Sequence, residues 1–291
     1  MKDADPLATP FGEREFEFTR ADFERVRKLI YARAGIALSD AKYQLAYGRV
    51  ARRLRVLGIP TFLDYLDRLE AGTIDEWQEF VNALTTNLTA FFREPHHFPI
   101  LGDHLRAGPN TRRRRVWCCA ASTGEEPYSI AMTAIEAYGS DRPPIEIVAT
   151  DIDTNCLETA ERGAYHADAV ARLGADRLKR FFLRGAGPNE GWVRVRPAVR
   201  ELVTFDQLNL LDPNYGFDAP FDAIFCRNVM IYFDKPTQLA VLARFAPLLL
   251  GDGLLFCGHS ENFAHARNLF QLKGKTVYAL AGGARRQAQA A

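Results

Sequence analysis

From about Phe16 to Thr86 the apolar positions recur at helical spacing. Phe23, Val26 and Ile30 lie three and four apart, Thr19 with Asp22 forms a capping box ahead of them, and Gly35 supplies the stop. The same pattern predicts a second helix from about Asp40 to Leu57 closed by Gly58, a third from Thr61 to Leu69 closed by Gly72, and a fourth from Ile74 carrying Trp77, Phe80, Val81 and Leu84. After Arg93 the period changes. Short apolar runs at Arg115–Ala121, Ile145–Thr150, Phe221–Cys226 and Leu254–Gly258 end in polar or glycine turns and alternate with helical stretches, which predicts a mostly parallel sheet covered on both faces. Phe181–Arg184 and Trp192–Arg196 flank a glycine-rich turn from Gly185 to Gly191 and read as an inserted antiparallel hairpin.

The expected organisation is therefore a helical domain over 16–88 and an α/β domain over 89–281 with a β-subdomain at about 177–200. Polar tails at 1–15 and 282–291 complete it. The chain has 291 residues, 47% hydrophobic and 25% charged, so neither disorder nor a fibrous role is expected. Lys+Arg 37 against Asp+Glu 36 leaves a formal charge of +1, and any acidic or nucleic-acid partner would have to be met by a local patch. No apolar run reaches bilayer length and the N-terminus has no apolar signal region, so a cytoplasmic protein without membrane insertion is expected. Cys118, Cys119, Cys156, Cys226 and Cys257 are odd in number and lack CxxC spacing. Buried thiols are expected rather than zinc or a nucleophile, and adjacent Cys118 and Cys119 should point to opposite faces of a strand.

Chemistry gathers at the predicted strand ends. The first strand runs into Ser122-Thr-Gly-Glu-Glu-Pro127 and then a helix, the place where doubly wound folds hold the polar part of a nucleotide-like ligand. Glu125 and Glu126 would repel a pyrophosphate and suit a cationic or zwitterionic ligand, although glutamates also simply cap helices. Asp151 ends the next strand, where an acid can accept both hydroxyls of a ribose, or cap the following helix. Asn209, Asn228 and Tyr232 follow later strands into the same crevice. At the junction, Thr85-Thr-Asn-Leu-Thr-Ala-Phe-Phe-Arg-Glu94 interleaves polar residues with two phenylalanines. Such a segment makes a poor surface linker and suits closure over a cleft. His96 and His97 are adjacent with no third ligand visible in sequence, so they read as structural and no metal is expected.

The strings Thr85–Glu94, Ala121–Ser129, Thr150–Asp153, Asn209–Asp212, Phe221–Asp234 and Gly258–Asn262 resemble, in order and length, the chemotaxis receptor methyltransferases of the CheR family. The resemblance implies a small all-helical N-terminal domain followed by a doubly wound class I methyltransferase domain with an inserted antiparallel β-subdomain. It implies methyl transfer from S-adenosylmethionine to glutamate side chains on the cytoplasmic helical domain of bacterial chemoreceptors. Carried over by position, it implies cofactor contacts by Asn87, Thr89, Arg93, Glu126, Asp151, Asn209, Leu210, Arg227 and Asn228, with Tyr232 beside the transferred methyl and Arg93 and Tyr232 as the candidate catalytic residues. Cys118-Cys119 departs from the smaller or hydroxyl residues usual there. Gly185-Ala-Gly-Pro resembles members whose β-subdomain holds a receptor's C-terminal peptide.

The chemistry agrees, because a glutamate carboxylate is already ionised at neutral pH and its methylation needs alignment rather than a general base. A nicotinamide dehydrogenase would need GxGxxG. A nucleic-acid methyltransferase would need more than the Arg112–Arg115 run, and a silent binding module of the same fold would not keep every polar strand end. No nucleic acid is expected as a partner, and the chain is expected to be a monomer. On the second helix Lys42, Arg49, Arg52 and Arg53 fall on one arc, a candidate surface for docking the acidic substrate helix.

Overall fold

The computed structural model describes residues 15–107 and 112–282 and divides into two compact units, Met1–Leu84 and Thr85–Ala291, a boundary earlier than the expected 88/89. The expected tails lie almost wholly outside the described residues.

The first unit contains helices α1 (Arg20–Ala34), α2 (Tyr43–Leu57), α3 (Phe62–Ala71) and α4 (Trp77–Leu84). Thr19 accepts from the backbone N–H of Asp22 while the Asp22 carboxylate accepts from that of Thr19, so the capping box read from sequence closes the α1 N-terminus. The Thr61 side chain caps α3 by accepting the Asp64 N–H. The apolar stripes meet in one core in which Phe23, Val26, Ile30, Val50, Leu54, Phe62, Tyr65 and Phe80 are fully buried. α2 begins later than expected because Asp40–Lys42 forms a separate 3-10 turn.

The second unit runs α5 (His97–Ala107), β1 (Arg114–Cys118), α6 (Glu125–Tyr138), β2 (Ile145–Asp151), α7 (Thr154–Arg162), β3 (Ala164–His166), α8 (Ala167–Val170), α9 (Ala175–Phe181), β4 (Phe182–Arg184), β5 (Trp192–Val195), α10 (Pro197–Arg200), β6 (Val203–Gln207), β7 (Phe221–Cys226), α11 (Lys235–Leu248), β8 (Leu249–Cys257), β9 (Phe270–Gly274) and β10 (Val277–Leu280). Seven strands form one sheet in the order β6-β2-β1-β7-β8-β10-β9. The strands from β6 to β8 are parallel, and β10 and β9 close one edge antiparallel. β1 lies between β2 and β7, so the strand order reverses there and opens a crevice at the carboxyl ends.

Side-chain alternation splits the interior into two cores. Val116, Cys118, Ala223 and Phe225 pack on one face of the sheet; Trp117, Cys119, Ile224 and Cys226 pack on the other. The adjacent thiols do point opposite ways, and all five cysteines are free and buried. The expected hairpin is β4 with β5, but it belongs to a three-stranded sheet whose outer strand β3 reaches back to Ala164, before the span assigned from sequence. Among the described residues no helix is long and apolar enough to cross a membrane.

Candidate active site

The β1–α6 turn is the base of the crevice. Gly124 adopts φ +98°, and a Cβ there would lie 2.8 Å from the Tyr165 hydroxyl and 2.9 Å from the Ala160 Cβ, so only glycine lets the turn pack this tightly. The Tyr165 hydroxyl donates to the Thr123 carbonyl at 2.7 Å, tying β3 of the small sheet to this turn. Ser122, Phe92, Glu94 and Asn228 all have positive φ without being glycine. Each such residue costs about 1–2 kcal/mol, and their gathering on segments around one crevice marks a place where geometry is held against local preference.

Asp151 ends β2 and is nearly buried. Its Oδ2 accepts the Ser122 N–H at 2.7 Å and its Oδ1 accepts the Asp153 N–H at 2.9 Å, with the Ile152 N–H a further backbone donor beside it. Burial raises its pKa to about 6, against the pull of those backbone donors. A pair of hydroxyl donors from a ribose fits this carboxylate.

Glu126, on the first turn of α6, is buried. Its Oε2 accepts from Arg227 Nη1 at 2.6 Å and its Oε1 from the Cys118 thiol at 3.4 Å. Burial pushes its carboxyl up while the Arg227 charge pulls it back. Arg227, at the end of β7, also donates from Nη2 to the Arg93 carbonyl at 2.6 Å and lies 3.5 Å from Glu94 Oε2. Its Nε has no partner. Arg93 itself is half-buried and donates to the Leu88 carbonyl at 2.7 Å. The neighbouring Phe91 and Phe92 are buried, as the interleaved pattern requires, Phe91 against Tyr165 and Phe182 and Phe92 against Phe98.

The Asn87 side chain donates to Asp153 Oδ2 at 2.6 Å and to Thr85 Oγ1 at 3.2 Å, and its main-chain carbonyl accepts from Ser122 Oγ. Thr89 is half-buried in the same segment. Asn209 accepts the Leu211 N–H, and the Leu210 side chain is buried in the core with Trp117 and Phe245. The Leu208 N–H bonds the Asp151 carbonyl, which fixes this loop beside β2. Asn228 donates to Glu94 Oε1 at 3.4 Å. Tyr232, half-buried, closes the short turn Met230–Tyr232 after β7. The structure thus joins Asn87 with Asp151 through Asp153 and Ser122, and Arg93 with Glu126 through Arg227, while Asn228 bonds Glu94, whose carboxylate also lies 3.5 Å from Arg227.

The arginine stripe of α2 belongs to the other unit and is not uniform. Arg53 is engaged with Glu76 at 2.7 Å and Glu79 at 3.2 Å, with its side chain 18% exposed, and Arg49 donates to the Ala83 carbonyl. Arg52 and Lys42 are exposed. The Arg53 guanidinium already has two carboxylate partners within its own unit.

Two carboxylates were not singled out from sequence. Glu261 is buried and accepts the backbone N–H groups of Asn228 at 3.1 Å and Met230 at 2.8 Å as well as that of Gly258, so it holds the whole turn after β7. Asp153 caps α7 and binds Asn87. Glu94, His96 and His97 bring ligand-type atoms within 4.8 Å of one another. Burial works against ionisation of Glu94, yet hydrogen bonding from His259 and the Arg227 charge hold its carboxyl below the ordinary range. The Arg227 guanidinium therefore already supplies the positive charge a cation would bring. His97 is fully buried, bonded through Nε2 to the Lys275 carbonyl at 2.9 Å, and burial lowers its pKa to about 4, so it is neutral and structural.

Buried acids at a tight strand-to-helix turn suit a cationic or zwitterionic ligand rather than a pyrophosphate. The comparisons with known proteins agree. Residues 87–279 match the CheR methyltransferase, SAM binding domain, and residues 21–85 match the CheR methyltransferase, all-alpha domain. Chemotaxis protein methyltransferase 2 of Pseudomonas aeruginosa is 53% identical, over 94% of this chain and 99% of its own length. The chemotaxis protein methyltransferases of Escherichia coli and Salmonella typhimurium are 54% and 55% identical, each over 89% of this chain and over 91% and 90% of their own lengths. With both of its units matched, the chain belongs to the CheR methyltransferase family and is an S-adenosylmethionine-dependent protein-glutamate O-methyltransferase of chemoreceptors.

Proposed function

We propose that the crevice across β2, β1 and β7 is where the methyl transfer occurs, with Asp151 accepting the ribose hydroxyls of the cofactor. The observation that carries this is the buried Asp151 carboxylate at the strand-order reversal, oriented by the backbone N–H groups of Ser122 and Asp153. When bound, S-adenosylmethionine supplies an electrophilic methyl to an ionised substrate carboxylate. Glu126 and Arg227 form the floor of the site, and Arg227 fixes the main chain at Arg93. Arg93 then presents a permanent cation that can hold a carboxylate through charge-assisted hydrogen bonds. Asn87, Thr89, Asn209 and Asn228 offer amide and hydroxyl groups around the cofactor, and the main chain at Leu210 borders it. Tyr232 shapes the methyl pocket. No residue has to remove a proton, since the attacking carboxylate is anionic at neutral pH.

The test is methylation of receptor-containing membranes with labelled cofactor and release of base-labile methanol, set beside calorimetric cofactor affinity. Asp151→Ala should lose both. Normal affinity in a folded variant would overturn the assignment.

For the partner, the reading goes further at the small sheet. Arg162, Arg184 and Arg194 with Leu183 and Trp192 line an open groove of about 480 Å³, and Trp192 is 48% exposed. Three cations beside an exposed aromatic suit an acidic, aromatic-containing peptide with a free carboxylate, such as a receptor C-terminus. Arg184→Glu should abolish binding of that peptide without changing cofactor affinity. Retained peptide binding would remove this reading.

A further inference from the structure

Asp153 is 2% exposed, and both of its oxygens are committed within the protein. Its Oδ1 accepts the N–H groups of Asn155 at 3.0 Å and Cys156 at 3.1 Å, capping α7. Its Oδ2 accepts from Thr85 Oγ1 and from Asn87 Nδ2, both at 2.6 Å. Its own N–H donates to Asp151 Oδ1 at 2.9 Å. A helix cap needs only one oxygen. The second oxygen, buried and bonded to the segment that precedes Arg93, is left unexplained by capping.

We propose that Asp153 is a positioning residue for cofactor binding, orienting the Asn87 amide so that its oxygen faces the cofactor and coupling that amide to Asp151. The argument follows from the donors and acceptors. Asn87 Nδ2 donates to Asp153 Oδ2 with Thr85 Oγ1 on the same side, so the amide cannot flip without setting its own oxygen against a buried carboxylate oxygen left short of a donor. Held so, the amide keeps its side-chain oxygen, an acceptor, turned away from the carboxylate and available to a ligand. The cofactor carries an ammonium, an exocyclic amine and ribose hydroxyls, all donors, so this orientation matches them. Through its backbone N–H the same residue holds Asp151, and one buried residue therefore registers two groups from segments far apart in the chain.

The proposal rests on the reading that Asp151 and Asn87 face the cofactor, and the test separates the two. Asp153→Asn keeps an oxygen for the α7 cap but turns the second acceptor into a donor facing the Asn87 donor. In the full-length chain, the Kd for S-adenosylhomocysteine is expected to rise on the order of tenfold, with kcat at saturating cofactor changed less than threefold. The exchanged pair Asn87→Asp with Asp153→Asn restores a donor facing an acceptor and is expected to recover most of the affinity, which a merely structural loss would not do. An unchanged Kd in folded Asp153→Asn, or no recovery in the exchanged pair, overturns the proposal. Should Asp153→Asn fail to fold, Asn87→Asp alone sets two carboxylates against each other and must weaken binding; unchanged affinity there overturns it equally. Asp151→Ala is measured in parallel. If it too binds normally, the cofactor reading has failed, whereas weak binding by Asp151→Ala beside normal binding by Asp153→Asn rejects the positioning role alone.

Discussion

Arg227 reaches Arg93 through the main chain: its Nη2 donates to the Arg93 carbonyl oxygen at 2.6 Å while its Nη1 is bonded to Glu126 at the same distance. One guanidinium, 1% exposed at the side chain, thus connects the end of β7, the start of α6 and the segment entering the second unit. The Arg93 side chain is not used for this purpose and stays available.

That division predicts what Arg93→Ala does. Its side chain makes a single hydrogen bond, to the Leu88 carbonyl, so its loss should move stability by no more than about 1 kcal/mol. Methylation should fall on the order of a hundredfold or more, as when a placed charge is removed from a reaction centre. Circular dichroism melting beside a methyl-incorporation assay checks both halves, and near-normal turnover would reduce the segment to a connector.

Cofactor affinity should depend on pH through Asp151. Its folded carboxyl titrates at about 6, above the ordinary 3.8, and ribose hydroxyls need the ionised form. Affinity should therefore weaken about tenfold per pH unit below 6 and level off above it. The sign for stability is opposite: between pH 4 and 6 the folded protein keeps a proton that the unfolded chain has released, so this group's favourable contribution is lost as pH rises through 6. Calorimetry from pH 5 to 8 should show the affinity slope in the parent and not in Asp151→Ala; parallel profiles would contradict it.

Glu261→Ala should be costly. It leaves the N–H groups of Gly258, Asn228 and Met230 without their acceptor, and each unsatisfied buried donor costs about 1–3 kcal/mol. Asn228, held at φ +59° by this carboxylate, should relax. Denaturant unfolding is expected to show a loss of several kcal/mol, with cofactor affinity reduced as well in whatever folds. A neutral variant would mean that solvent replaces the carboxylate.

On α2 the arginines should separate by function. Arg53→Ala breaks a largely buried pair with Glu76 and should destabilise the helical unit by about 3 kcal/mol. Arg52→Ala, together with Lys42→Ala, should leave stability unchanged and raise the apparent KM for receptor at low salt, with a flatter salt dependence. Receptor kinetics equal to the parent across a salt series would make the exposed face merely solvated.

Much of this was legible because it is local. Thr19 and Asp22 announce a capping box within four residues, and Asp151 is placed by the strand it ends. The Gly124 turn shows itself as a strand, a glycine and a helix in succession. What was missed depends on partners far along the chain. Asp153 reads as an ordinary helix cap, and its bond to Asn87 spans 66 positions. Glu261 reads as a loop acid, and its hold on Asn228 spans 33. The β9–β10 hairpin was missed for a different reason: its turn uses Lys275 and Thr276 at φ +51° and +57°, residues that carry none of the usual signal for that conformation. The arc on α2 was legible as an arc, but the engagement of Arg53 was not, because helical projection does not show what packs beside it.

All five cysteines lie in the unit from Thr85 onward, and none precedes it. Each is buried, with its thiol pKa raised by that burial. In the native protein these sulfurs are poor nucleophiles without an approach route, so alkylation has to wait for an opening of the α/β unit. Thiol-labelling kinetics would then serve as a clock for that unit alone, blind to fraying of the helical one. A bound cofactor should slow the clock in proportion to its occupancy.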